Sequence, residues 1–235
     1  MNNTDYIYRH EIKYRINGGT YHILRQRFRA VMQPDLHAKN GMYRVTSLYF
    51  DDAYRTAYRD KVNGALRRKK YRIRTYDLSP DVIHLEEKVK HDNVGYKKSI
   101  TLTRDRYERI LAGDYTFLAD EKYAGTAGGD MFASHSAAYL SPAVIVDYIR
   151  EPFVCRAGNV RVTFDMKIAA CVNGYDMFAA GNIYENVMPD NDIVLEVKYD
   201  NYIPTQILQL LTDISTVQES VSKYILCSDK LREKI

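Results

Sequence analysis

Arginine, lysine and glutamate recur at alternate positions along several short segments of the sequence. Between residues 69 and 76, Lys70, Arg72 and Arg74 alternate with apolar or aromatic residues. Successive side chains of a β-strand point to opposite faces, so these three cations are predicted to share one face. Four further segments show the same alternation of polar, mostly charged residues. The sets are Arg9, Glu11, Lys13 and Arg15; Glu86, Lys88 and Lys90; Arg161, Thr163 and Asp165; and Glu196 and Lys198.

The chemistry that suits such faces is the binding of a phosphate-rich anion. Like charges this dense repel one another, and an anion between them removes the repulsion. A guanidinium group matches phosphate oxygens as a planar fork, and an ammonium group binds them as a point charge. Carboxylates among the cations can hold a divalent metal ion, which phosphate chains commonly carry. For any one strand the alternative is an ordinary sheet with its charged face in water.

The elements that must position these residues are mostly strands. If they close on themselves with the charged faces inward, the result is a β-barrel with a basic interior that focuses potential on an anion. A mainly β (α+β) fold with one domain over residues 1–235 is therefore expected. Alternation predicts strands at 11–16, 44–51, 69–76, 82–90, 96–102, 144–150, 160–168 and 193–199.

The apolar outer faces of such a barrel need cover, and amphipathic helices can supply it. Thr20 is the predicted cap of the first helix, and Thr103 is the predicted cap of the third. The glycine-rich stretch at 124–136 lacks the ending of a phosphate-binding P-loop and is predicted to be a surface loop. Helical spacing predicts helices at 20–32, 52–61, 103–112 and 205–227.

Composition excludes several other classes of protein. The net charge is only +4, so the chain is not a bulk polycation, and 46% hydrophobic residues are enough for a core. Cys155, Cys171 and Cys227 are far apart and are predicted to be reduced thiols. No segment is apolar and long enough for a signal peptide or a membrane span, so a cytoplasmic protein is expected.

The charged segments, taken together, resemble the VTC domain, the catalytic domain of the vacuolar transporter chaperone. That domain belongs to the triphosphate tunnel metalloenzyme superfamily. The resemblance runs in order along nearly the whole chain. Its stretches are Arg9–Tyr14, Ser47–Asp51, Tyr71–Arg74, Leu85–Lys88, Tyr96–Lys98, Tyr148–Arg150, Arg161–Asp165, Leu195–Tyr199 and Ser222–Tyr224.

The resemblance implies a closed antiparallel eight-stranded tunnel, helices packed outside it, and phosphoryl transfer that depends on Mn²⁺ or Mg²⁺. It implies that Arg72, Arg74 and Lys88 neutralise the transferring phosphoryl group and that Glu196 binds the metal. Glu11 and Glu86 are further metal candidates. The other phosphate-contacting residues that it implies are Lys13, Lys97, Arg150, Arg161 and Lys223, and Lys198 is predicted to face the same interior.

The VTC branch builds polyphosphate from ATP, so polyphosphate synthesis is the predicted activity. One departure from the superfamily pattern affects the choice between synthesis and hydrolysis. Hydrolytic tunnel enzymes typically begin with Glu-x-Glu-x-Lys, whereas this chain has Arg9 in place of the first glutamate. The alternatives are hydrolysis of triphosphate or polyphosphate, and a non-catalytic polyphosphate-binding module. ATP, polyphosphate or another triphosphate is the expected ligand; nucleic acid is not expected, and any membrane attachment needs a separate partner.

Overall fold

Antiparallel strands form most of the framework. The computed structural model describes residues 8–92, 94–212 and 217–233, and these contain eleven strands of one sheet and six α-helices. The mainly β prediction is thus confirmed. The strands are β1 (Arg9–Asn17), β2 (Gln33–Pro34), β3 (Tyr43–Asp51), β4 (Arg67–Tyr76), β5 (Ile83–His91), β6 (Val94–Leu102), β7 (Ser141–Cys155), β8 (Val160–Cys171), β9 (Tyr184–Asn186), β10 (Asp192–Tyr199) and β11 (Val217–Gln218).

Eight of these strands pair in a circuit that runs β7–β3–β4–β5–β6–β1–β10–β8 and returns to β7. The link between β6 and β1 is short, because only Arg9 with Gly95 and His10 with Val94 are paired. Further along the same edge of β1, Tyr14 and Arg15 pair with β11. The circuit brings the charged faces predicted from the sequence onto strands that are neighbours in space.

Helices cover two outer faces of the sheet. No helix in the described residues is long and apolar enough to cross a membrane. Short 3₁₀ turns span Lys39–Gly41, Thr116–Ala119, Glu121–Tyr123 and Ala157–Asn159. The α-helices are α1 (Gly18–Val31), α2 (Thr56–Val62), α3 (Arg104–Leu111), α4 (Ala127–Ala138), α5 (Thr205–Thr212) and α6 (Lys223–Arg232).

The apolar core is divided among three clusters. In one cluster, Leu24 and Phe28 of α1 and Ile207 of α5 pack with Phe164 of β8. In another, helices α3 and α4 cover β4 and β5. Full burial of each large apolar side chain stabilises the fold by about 1.5–3 kcal/mol. The prediction that amphipathic helices cover the apolar strand faces is therefore confirmed for α1, α3 and α5.

Two predicted helix starts differ from the structure because other side chains cap them. Asn17, not Thr20, is the N-cap of α1, and its Oδ1 accepts a hydrogen bond from the Thr20 amide at 2.9 Å. The helix predicted from residue 52 begins at Thr56. Asp52 stays outside it, and its carboxylate accepts from the Thr56 amide at 2.9 Å. Both acceptors satisfy amides that have no partner within the helix.

The prediction of a surface loop at 124–136 was wrong, because helix α4 occupies most of that stretch. Thr126 caps the helix and accepts from the Gly128 amide at 3.2 Å. The glycines serve close packing there: a Cβ on Gly129 would lie 2.5 Å from the Tyr123 carbonyl oxygen. Glycine is common in loops, but it is also found where another backbone approaches closely. In α4 the second reason applies.

The single helix predicted at 205–227 is two helices, α5 and α6, with β11 between them; residues 213–216 lie outside the described part. Helix α6 belongs to a third apolar cluster, in which Tyr224 and Cys227 pack with Tyr49 and Tyr148. The Tyr224 ring stacks on the Tyr49 ring, with centroids 5.2 Å apart. The prediction was that this helix covers the outer face of the strands. Tyr49 lies on the charged face of the circuit, so the start of α6 packs against that face instead.

Candidate functional site

A cavity of about 580 Å³ opens on the charged face of the strand circuit. Among the described residues, eleven basic side chains and three carboxylates line it. The walls come from β1, β3, β4, β5, β7, β10, α2, the start of α6 and the segment before α6. The charged lining residues are Glu11, Lys13, Lys61, Arg68, Lys70, Arg72, Arg74, Lys88, Lys90, Arg150, Glu196, Lys198, Glu219 and Lys223.

The two arginines of the β4 alternation are held by fixed polar partners. The Arg72 Nε donates to Glu86 Oε2 at 2.6 Å, and its Nη1 donates to the Tyr49 hydroxyl at 3.0 Å. Arg74 donates to the Ser47 and Tyr148 hydroxyls at 2.9 and 3.2 Å. Burial acts to raise the pKa of Glu86, but Arg72, Arg74 and Lys97 outweigh it and lower that pKa. The arginines thus face the cavity with their orientation set in advance.

A second buried group joins β7, β8 and α6. Arg150 donates two hydrogen bonds to Asp165, at 2.6 and 2.7 Å, and the Lys223 ammonium lies 2.5 Å from the same carboxylate. Asp165 is fully buried. Burial acts to raise its pKa, but Arg150 and Lys223 outweigh it and the pKa is lowered. One carboxylate therefore holds two cations at the cavity wall and leaves an excess of positive charge.

The third group lies where β1 pairs with β10. The Lys13 ammonium is 2.9 Å from Glu11 and 3.4 Å from Glu196, and Lys198 pairs with Glu196. Lys88 reaches Glu11 from β5 at 2.6 Å. Burial opposes ionisation of Glu11 and Glu196, yet the surrounding lysines hold both pKa values well below the usual range. Both carboxylates are ionised at neutral pH.

These two carboxylates fit a divalent metal that shares its ligands with phosphate. Glu11 and Glu196 have common lysine neighbours, and both line the cavity. A magnesium ion in a phosphate-transfer site is commonly bound by one or two carboxylates, with phosphate oxygens and water as its other ligands. No group of three histidine, cysteine or acidic side chains in the described residues could hold a metal. Glu86 is therefore not a third member of this set, and it is engaged by Arg72 and Lys97 instead.

The structure brings most of the predicted site residues to the cavity but leaves three out of its lining. Glu86 pairs with Arg72 across β4 and β5, and Lys97 pairs with Glu86 from β6. Arg161 pairs with Asp35 at 2.7 Å and donates to the Tyr43 hydroxyl at 2.8 Å. Those that line the cavity are Glu11, Lys13, Arg72, Arg74, Lys88, Arg150, Glu196, Lys198 and Lys223.

Four cations of the cavity were not among the predicted site residues, and we call them the unpaired cations: Lys61, Arg68, Lys70 and Lys90. None of them forms an ion pair with a carboxylate of the described residues. Lys61 contacts the Ser220 hydroxyl, and Lys70 lies 3.5 Å from the Ser222 hydroxyl and over the Tyr224 ring. Lys70 and Lys90 could be identified from the sequence, because each is two residues from a predicted site residue and so lies on the same face of its strand. Nothing in the sequence pattern identifies Lys61.

The segment from Gln218 to Ser222 also lines the cavity and could not be predicted from alternation. Glu219 donates its backbone amide to the Lys13 carbonyl at 3.0 Å, and the Lys13 ammonium donates to the Val221 carbonyl at 3.2 Å. Contacts to backbone atoms do not depend on residue type, so the sequence pattern does not reveal them. These contacts hold the segment against β1 at the wall of the cavity.

The arrangement suits a chain of phosphoryl groups. Guanidinium and ammonium donors from several strands line one cavity, where their field is stronger than in bulk water. Donors fixed by their own partners lose little freedom when they bind. Among the described residues no cysteine or histidine lines the cavity, and its two serines, Ser220 and Ser222, accept hydrogen bonds from Lys61 and Lys70. Phosphoryl transfer needs no nucleophilic side chain, because it depends on positioning and charge.

Comparison with solved structures identifies the class of fold. HpAC1 from Hippeastrum, a proposed adenylyl cyclase with dominant triphosphatase activity, is similar with a TM-score of 0.57 and 10% identity over 95% of each chain. A proposed adenylate cyclase from Bacillus halodurans gives 0.55 and 11% over 91% of this chain and 95% of its own. PH1819 from Pyrococcus horikoshii gives 0.51 and 13% over 94% and 99%. The chain therefore shares the fold of these three solved structures.

The family follows from the sequence profile. The VTC domain profile matches residues 8–232, nearly the whole chain, so the protein belongs to the VTC domain family. The family predicted from the charged segments is confirmed. No curated protein sequence matches significantly. The family and the basic cavity together support a domain that binds triphosphate or polyphosphate.

Proposed function

We propose that this domain is a polyphosphate polymerase that takes the γ-phosphoryl group of ATP and adds it to a growing polyphosphate chain. The observation that carries the proposal is the convergence of cations from β1, β4, β5, β7, β10 and α6 on one cavity, beside two ionised carboxylates. Membership of the VTC domain family supports the same activity.

We also propose that the strand circuit is a closed eight-stranded tunnel within a single domain over residues 1–235. Pairing continues through all eight strands of the circuit, and the charged faces of β1, β4, β5 and β10 look toward the same space. A closed wall excludes water from the phosphates and strengthens every charge interaction inside. The short β6–β1 link is the point at which closure depends on the fewest backbone hydrogen bonds.

The roles of the individual residues follow from their partners. Arg72, Arg74 and Lys88 neutralise the phosphoryl group that is transferred, since their side chains are fixed at the wall by Glu86, Ser47 and Glu11. Further along the wall, Lys13, Arg150, Lys198 and Lys223 hold the other phosphates in line. Such preorganised charge costs no rearrangement when the transition state forms. Lys97 and Arg161 act at the edges of the site, where they keep Glu86 and Asp35 neutralised.

The proposed cofactor is Mn²⁺ or Mg²⁺, held by Glu196 and Glu11. When bound, such an ion would supply positive charge that offsets the negative charge developing on the phosphate oxygens. Before phosphate binds, Lys13 and Lys198 occupy both carboxylates. Glu86 is the weaker metal candidate, because Arg72 and Lys97 already satisfy its two oxygens.

Pure protein incubated with ATP and Mn²⁺, followed by phosphorus NMR, tests the proposal. Synthesis gives ADP and a long phosphate chain. Glu196→Gln removes one metal-binding charge and is expected to lower the rate by about 100-fold or more, within the range for loss of a principal electrostatic contact. Glu121→Gln removes an exposed glutamate far from the cavity and is the matched control. A Glu196→Gln enzyme as active as the control would contradict the assigned role.

Hydrolysis of triphosphate is the second candidate. It is favoured by the fold shared with HpAC1, which has dominant triphosphatase activity. Against it stands Arg9, which occupies the position where hydrolytic tunnel enzymes have glutamate and pairs with Asp200 at 2.8 Å. Orthophosphate without chain in the same NMR experiment identifies a hydrolase. Tight binding without turnover with Mn²⁺ or Mg²⁺ identifies a polyphosphate-binding module.

A further inference from the structure

The β4–β5 pair changes its charge pattern along its length. Arg72 lies directly opposite Glu86, a pair of opposite charges. Two rows further on, Lys70 is opposite Lys88 and Arg68 is opposite Lys90. Like charges placed directly across an antiparallel pair destabilise it. Glu11 partly neutralises Lys88, but Arg68, Lys70 and Lys90 have no carboxylate partner among the described residues. These two rows therefore lower the stability of the sheet, and an anion lying over them would remove that cost.

The row of cations is also long. From Arg74 to Arg68 the strand covers six residues, or about 20 Å at the rise of an antiparallel strand. Every second residue along it, Arg68, Lys70, Arg72 and Arg74, lines the same cavity. The three phosphoryl groups of one triphosphate cannot occupy a row of this length. Part of it is left for a second anion or for the continuation of a longer one.

The contacts of the unpaired cations are of a kind that phosphate can replace. Lys61 and Lys70 contact the neutral hydroxyls of Ser220 and Ser222. Burial and the neighbouring cations lower the pKa values of Lys61, Lys70 and Lys90. Phosphate oxygens are charged acceptors, and hydrogen bonds from lysine and arginine to them are about twice as strong as those between neutral groups.

We propose that the unpaired cations Lys61, Arg68, Lys70 and Lys90 form a second anion subsite, which holds the polyphosphate chain while the paired cations hold the triphosphate. The inference rests on the proposed function and deepens it by assigning the acceptor a place of its own. A chain held next to the transferring group is at high effective concentration for the next addition. The subsite therefore determines chain affinity and product length.

The experiment compares two double variants that each remove two positive charges. Arg68→Gln with Lys90→Gln changes the subsite. Arg67→Gln with Lys69→Gln changes alternate positions of β4 on its other face, away from the cavity lining, and is the matched control. Binding of inorganic triphosphate and of long-chain polyphosphate is measured by calorimetry for both variants and the wild type, with Mg²⁺ present. Melting temperatures check that both variants fold.

The subsite variant is expected to bind polyphosphate about 100-fold more weakly or worse, since it loses two charged contacts and each is worth about tenfold or more. Its triphosphate affinity and both affinities of the control are expected to stay within about threefold of wild type. Equal losses for both ligands, or no loss for either, would overturn the subsite. Wild-type protein that binds neither ligand would overturn the proposed function and the subsite together. Wild-type protein that binds both but only hydrolyses them would overturn the polymerase alone.

Discussion

The two sets of cations in the cavity differ in what holds them. Arg72, Arg150 and Lys223 each contact a buried carboxylate, and the protein itself neutralises part of their charge. Among the described residues, Lys61 and Lys70 contact hydroxyls and an aromatic ring but no carboxylate. A charge with a fixed partner contributes to the fold and keeps its orientation. A buried charge without a fixed partner lowers the stability of the fold until a ligand neutralises it. The paired cations therefore stabilise the site, whereas the unpaired cations are left to bind substrate.

The largest expected effect comes from removing the carboxylate that serves two paired cations. Asp165→Asn leaves Arg150 and Lys223 buried without their counter-charge. Breaking a buried ion pair by removing one partner costs about 3–5 kcal/mol, because the remaining charge is uncompensated. We expect a fall of that size in the free energy of unfolding, measured by urea denaturation.

The control for this change is Asp200→Asn, since Asp200 pairs with Arg9 and both side chains are 28% exposed. A pair whose two side chains are both reached by water is worth much less than a buried one, about 1 kcal/mol or less when it is at the surface. If both substitutions lower the free energy of unfolding equally, the buried carboxylate stabilises the protein no more than a surface one does. The energetic distinction between paired and unpaired cations would then be wrong.

The pH dependence of polyphosphate binding tests the role of the unpaired cations, through Lys70. Burial, with help from Lys13, Lys88, Lys61 and Arg68, lowers the pKa of Lys70 to about 7. The other groups facing it, Ser222 and Tyr224, carry no charge. A bound chain favours the protonated lysine, so binding above pH 7 must take up a proton. Affinity is expected to fall as pH rises from 7, by up to about tenfold per pH unit, and to be flat below it.

Lys70→Met is the variant that tests this assignment, because it cannot take up the proton. Lys198, whose pKa burial lowers to about 8, titrates in both proteins, so the difference between them is the informative quantity. Calorimetry in two buffers of different ionisation enthalpy counts the protons directly. Identical proton uptake by both proteins would show that another group is responsible.

Strand alternation was a sound guide to the cavity because the period of a strand is independent of its surroundings. It assigned Lys13, Arg72, Arg74 and Glu196 to the charged faces of their own strands, and in the structure all four line one cavity. Glu87 broke the pattern of β5, and the structure explains it. Glu87 lies on the outer face under α4 and accepts from the Tyr71 hydroxyl at 2.9 Å. A buried acid on the apolar face needs a partner from elsewhere in the chain, which local sequence does not show.

What the sequence did not indicate depends on tertiary contacts. Lys61 reaches the cavity only because α2 packs at its wall, and no periodicity of β4 or β5 includes this lysine. Arg161 has the right parity, but Asp35, from a loop far along the chain, pairs with it. Helix α4 was missed because its glycines serve a close approach to Tyr123. In each case the deciding neighbour is distant in sequence, and composition alone gives no access to it.

The smallest expected effect is a change in stability of opposite sign to that of Asp165→Asn. Lys70→Met removes a desolvated cation and keeps an unbranched apolar stem over the Tyr224 ring. Replacing a poorly compensated buried charge with an apolar side chain is often neutral or stabilising, and we expect a gain of about 1 kcal/mol in the free energy of unfolding at pH 6. Lys69→Met, on the opposite face of β4, is the matched control and is expected to change stability by less than about 0.5 kcal/mol.

The pH dependence of that gain identifies its cause. The pKa of Lys70 is lower in the folded protein than in the unfolded chain, where lysine titrates near its ordinary value. Between those two values the unfolded chain binds more protons, so wild-type stability rises with pH there. The advantage of Lys70→Met over wild type is therefore expected to be full below pH 7 and to shrink from pH 7 towards pH 10. A gain that is constant from pH 6 to pH 10 would mean that improved apolar packing, not the removal of an uncompensated charge, stabilises the variant.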